Sequence, residues 1–242
     1  MPGSTSEGRE GVARVEAFSD GVLAIIITIM VLELKAPEEP GFHALWKLWP
    51  TIFAYILSYA YVAIYWVNHH RLFGHARRVT NALVWSNIAL LFALSLLPFT
   101  TAYLGEHFLD PGATALYAGS LVPPALTYLW LQSVIAATGS QSEMARGYHR
   151  ATGRKALLGA ALYVAAAVIG WWVPVVGVIL PALIALMWIK PWGRSTACSC
   201  AARDRMRGNR PPFPFTAARP FPIGWGMTSP LGLTLRLIRP WA

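Results

Sequence analysis

Five polar residues crowd into the first apolar stretch of the chain: Arg14, Glu16, Ser19, Asp20 and Thr28. Ionisable groups inside a membrane helix are costly and mark ion or proton pathways, or contacts that lock helices together. Positions 14, 18, 21, 25, 28 and 32 advance in steps of four and three, which is one stripe of a helix. That stripe reads Arg14, Phe18, Gly21, Ile25, Thr28 and Leu32, with Ile29 at its edge. Asp20 stands about 100° round the helix from Gly21 and is predicted to face a neighbouring helix. A buried carboxylate needs donors, and Arg14, Asn87 or one of the pair His69-His70 can supply them. A helix-locking polar cluster and direct ion contact both fit these residues.

Other chemistries are poorly served. His69 and His70 are adjacent, so they diverge by about 100° on a helix, and no cysteine or carboxylate is spaced to complete a metal site. Cys198 and Cys200, the only cysteines, form a lone C-x-C that reads as a pair of reduced thiols. The chain has no H-E-x-x-H, no G-x-S-x-G elbow and no P-loop, and its intramembrane carboxylates are unpaired. No enzyme activity, cofactor or metal is expected. No helix carries Arg or Lys at every third position, so no voltage sensor is expected either.

The elements that must position these residues follow from composition. The 242 residues are 55% hydrophobic and only 13% charged, about half the charge of a soluble domain. The apolar residues gather in blocks long enough to cross a bilayer. Six helices are predicted, over 12–34, 45–67, 82–104, 114–137, 156–173 and 174–189, the last two forming a tight hairpin. The expected architecture is an all-α polytopic membrane protein: an N-terminal segment 1–11, a six-helix domain 12–190 and a tail 191–242.

Lys and Arg set the orientation. With the N-terminus inside, 18 of the 20 lie on the cytoplasmic side, leaving Lys35 and Lys47 outside. Both termini are therefore predicted to be cytoplasmic. Trp46, Trp49, Tyr65, Trp66, Trp171, Trp172, Trp188 and Trp192 read as headgroup anchors. The net charge of +9 comes largely from the Pro- and Arg-rich tail, which has no regular periodicity and is expected to be disordered. No basic stripe interleaved with aromatics supports nucleic-acid binding; the lipid bilayer is the expected partner.

The run Arg14-Val-Glu-Ala-Phe18-Ser19-Asp20-Gly21 resembles the R-x-x-x-F-S-D-G signature of the transmembrane-protein-175 family of potassium channels, in its bacterial branch. Trp66-Val-Asn68-His69-His70-Arg71-Leu72-Phe73 is similar to that family's second-helix ending. The resemblance spans about residues 10 to 192. It implies a homotetramer in the inner (plasma) membrane, with helix 1 of each copy lining a central pore for K+, and it implies no carbonyl filter. The chain indeed lacks T-V-G-Y-G. By the same resemblance Ile25, Ile29 and Leu32 constrict the pore and Thr28 bears on selectivity. Arg14, Phe18, Ser19 and Asp20 join His69 or His70 and Asn87 in a packing network. A competing reading is a proton-coupled secondary transporter using Asp20 and a helix 2 histidine, although no inverted repeat supports it.

Overall fold

In the computed structural model, residues 3–38, 40–138 and 143–189 are described. Nine helices form among them: α1 (Gly3–Leu32), α2 (Phe42–Lys47), α3 (Trp49–Phe73), α4 (Asn81–Ser95), α5 (Leu97–Glu106), α6 (Pro111–Ser120), α7 (Val122–Thr138), α8 (Glu143–Gly170) and α9 (Pro174–Ile189). No strand occurs among the described residues. The tail, with Cys198, Cys200 and Trp192, lies outside them.

Five helical stretches are long and apolar enough to cross a membrane: Gly8–Leu32, Trp49–Phe73, Asn81–Glu106, Pro111–Thr138 and His149–Gly170. A sixth, Pro174–Trp188, is apolar but shorter. The helical segments differ from the sequence expectation mainly at their ends. α1 begins at Gly3, so most of the expected N-terminal segment is helical. α8 begins at Glu143 and not near residue 156, making it one of the longest helices. Hydropathy locates the apolar part of a helix, while hydrogen bonding carries the helix on through polar residues beyond it.

Two spans are divided. α4 and α5 meet at Leu96, just ahead of Pro98, and α6 and α7 meet at Leu121, ahead of Pro123 and Pro124. Each proline removes a donor from the helical ladder. Both junction residues keep right-handed helical dihedrals, so each span continues in direction. Hydroxyls cluster here: the Ser58 and Tyr117 oxygens are 2.9 Å apart and those of Ser58 and Thr101 are 2.7 Å apart, joining α3, α5 and α6.

α1 packs against α3, α4 and α5, whereas α8 is surrounded by α6, α7 and α9. The α8–α9 hairpin closes over Trp171, Trp172 and Val173 as expected. Its helices approach closely because Gly170 faces Gly177: a Cβ at Gly170 would lie 2.9 Å from the Gly177 Cα. α1 is peripheral. Only 22% of its apolar window is buried, against 50% of the third span.

Candidate functional site

The two sides of α1 have different surroundings. Val12, Ser19, Leu23, Ile26 and Met30 are buried and recur at helical spacing, forming the seam against α3, α4 and α5. The stripe read from the sequence lies on the other side. Phe18 is 59% exposed, Ile25 58%, Ile29 42% and Leu32 78%, and Gly21 and Thr28 are also exposed. The Thr28 hydroxyl donates to the Ile25 carbonyl at 2.8 Å, so its proton is used within the helix and its oxygen keeps accepting capacity.

On the buried side, three of the expected network residues meet. Ser19 donates to the Val15 carbonyl at 2.9 Å and accepts from Asn87 Nδ2 at 2.8 Å. Asn87 Oδ1 then lies 2.8 Å from His69 Nε2. Because the amide nitrogen of Asn87 is directed at Ser19, its oxygen is the acceptor and His69 Nε2 is the donor. Each of the three residues is essentially inaccessible. His69 also stacks on Phe73, with ring centroids 4.2 Å apart. The network joins the first three spans at about the middle of α1.

The remaining residues go elsewhere. Asp20 Oδ1 accepts from Trp66 Nε1 at 2.9 Å, and His70 Nδ1 lies 2.7 Å from Glu16 Oε1. The Trp66 and His70 rings stack with centroids 6.1 Å apart. Both pairs lie on the exposed side of the α1–α3 contact, in the register of two antiparallel helices. Arg14 and Phe18 are exposed, and among the described residues the Arg14 side chain makes no hydrogen bond or ion pair. Of the two histidines, then, His69 is bonded to Asn87 and His70 to Glu16.

Sequence reasoning missed two partners. Trp66 was expected only as a headgroup anchor, and Glu16 was given no role. The available signal was spacing: Glu16 and Asp20, like Trp66 and His70, are four residues apart and share a helix face. Tyr65, another expected anchor, packs edge-on against Tyr128 with centroids 6.1 Å apart.

A cleft of about 400 Å³ runs between α1 and α4–α5. Val22, Ile25 and Ile29 line it on the α1 side, with Ser95 and Phe99 opposite and Glu33 at its end. Just past Glu33, Lys35 Nζ is directed to Glu106 Oε1 at 3.6 Å. Among the described residues no group of three or more His, Cys, Asp or Glu converges to hold a metal ion.

The family model for the endosomal/lysosomal potassium channel TMEM175 matches residues 14–98, which hold every residue of both polar clusters. A potassium channel of Chryseobacterium sp. (strain P1-3) is 40% identical over 179 residues, 74% of this chain and 92% of that relative. The chain belongs to the TMEM175 family. That family is one of ion channels, not of enzymes. The crystal structure of a lysosomal potassium-selective channel TMEM175 homologue from Chamaesiphon minutus superposes with a TM-score of 0.67 at 30% identity, covering 74% of this chain and 96% of that one. The endosomal/lysosomal proton channel TMEM175 of Homo sapiens is 38% identical over 82 residues, 29% of this chain and 16% of that protein.

Proposed function

We propose that this TMEM175 chain is the subunit of a potassium channel, weakly selective over sodium, built as a homotetramer with α1 of each copy lining the pathway. The observation that carries this reading is the exposed stripe Phe18, Ile25, Thr28, Ile29 and Leu32 on the helix whose other side holds the Ser19–Asn87–His69 network. Four copies of that face around one axis enclose a narrow apolar passage, and cyclic symmetry is the common way for identical subunits to close. Ile25, Ile29 and Leu32 then form rings that gate by dewetting. Thr28 supplies an oxygen between them and sets the preference among cations. The network Ser19–Asn87–His69 holds α1 at the angle the pathway needs.

In this reading the chain crosses the plasma membrane six times with both termini in the cytoplasm. α9 is the sixth crossing, and its 16 residues suffice only with local thinning of the bilayer or with its polar ends at the headgroups. Potassium permeates and no cofactor takes part.

The test is potassium flux into proteoliposomes of the purified chain, driven by a potassium gradient without a proton gradient, with sodium controls. Selective flux supports the channel. A second reading, proton-coupled transport, draws on the titratable pair His70–Glu16 beside the stripe; flux that begins only when a pH gradient is imposed favours it.

A further inference from the structure

The charges at the two ends of α1 are of opposite kinds. With the N-terminus inside, the outer connections carry Glu33, Glu38, Glu39, Glu106 and Asp110 against Lys35 and Lys47. Three of these are committed locally. Asp110 caps α6 by accepting from the Ala113 amide at 2.9 Å, and Lys35 is drawn to Glu106. Glu33 is placed differently: it follows the last residue of α1 and is exposed, and among the described residues its carboxylate makes no hydrogen bond or ion pair.

Its position matters more than its charge. Glu33 lines the same cleft as Ile25 and Ile29, at the end nearer the outer face, and the walls between are mostly aliphatic and aromatic. A charge at the mouth of a low-dielectric cleft focuses its field along that cleft and raises the local counter-ion concentration. The C-terminal carbonyls of α1 lie at the same end, and their partial negative charge adds to that of the carboxylate. The nearest cation along the chain, Lys35, has Glu106 as its ion-pair partner at 3.6 Å.

We propose that Glu33 is the residue that sets cation throughput at the outer entrance, concentrating K+ over the apolar constriction while leaving the choice between K+ and Na+ to groups deeper in the pathway. This rests on the reading that α1 lines the pathway. It assigns Glu33 an electrostatic role and no inner-sphere contact with the ion.

The experiment uses the full chain in planar bilayers, with current carried inward from the outer face at about 10 mM and at 1 M KCl. Charge screening extends over about 30 Å in the first case and about 3 Å in the second. Glu33→Gln is expected to lower inward K+ current about threefold or more at low salt and to leave it near the wild-type value at 1 M, with the K+/Na+ ratio unchanged. Glu33→Cys should behave like Glu33→Gln until a negatively charged thiol reagent, added outside, restores the current; a positively charged reagent should depress it further. This rescue separates the charge from any fault in folding. Wild-type current at low salt in Glu33→Gln, or no recovery in Glu33→Cys, overturns the role of Glu33 while the channel reading stands. Absence of K+ current in the wild-type chain overturns both.

Discussion

The two faces of α1 are made of opposite materials and are fixed in opposite ways. The buried seam carries Ser19 among Leu23, Ile26 and Met30, and each polar atom of Ser19 is matched to a partner on α1 or α4. The exposed face carries Phe18, Ile25, Ile29 and Leu32, each 42% or more exposed in the single chain. In water such a contiguous apolar face would signal an interface. In a bilayer, apolar burial gives little drive for helices to associate, and packing and interhelical hydrogen bonds hold them together. The seam therefore supplies the directional contacts that fix α1, and the outer face takes no part in them. Substitutions on the seam should be read out as stability, and those on the face as flux.

The largest effect is expected for Asn87→Ala. It strips the acceptor from His69 and the donor from Ser19 at once, at a cost of about 3 kcal/mol, seen as a lower unfolding temperature in detergent. A variant with wild-type stability but altered flux would dissolve the division between the faces. Ile25→Ala and Leu32→Ala are next: leak flux should rise severalfold while stability changes by about 0.5 kcal/mol or less. Unchanged flux in both would move the constriction elsewhere. Ser19→Ala keeps the packing of the seam and removes one link, for about 1 kcal/mol; a loss above that of Asn87→Ala would show that Ser19 and not Asn87 is the hub. Trp66→Phe tests the border between the faces. It removes only the exposed bond to Asp20 and should cost about 0.5 kcal/mol, with K+/Na+ preference intact in reversal-potential measurements.

Much of this was legible in the sequence. Hydropathy blocks located the apolar helices because the bilayer imposes a length on them, and the four-three spacing separated Ile25 and Thr28 from Leu23 and Ile26. What stayed hidden depended on pairing across helices. Spacing along α3 put His69 and His70 at one depth; only the position of α4 decides that His69 meets Asn87. The fate of Asp20 was equally open, since its donor proved to be an indole and not a histidine, amide or guanidinium. The junctions at Leu96 and Leu121 are local effects of Pro98, Pro123 and Pro124 that an apolar average smooths over.

The hydrogen bonds from His69 to Val15 all point one way: imidazole to amide, amide to hydroxyl, hydroxyl to backbone carbonyl. Passing a proton along such a series would require Asn87 to turn its side chain end over end inside a closed seam, and would leave the Val15 carbonyl protonated or unpaired. A water chain can reverse its polarity by rotating molecules in place; here the Asn87 amide is bonded at both ends. It is a latch, not a wire.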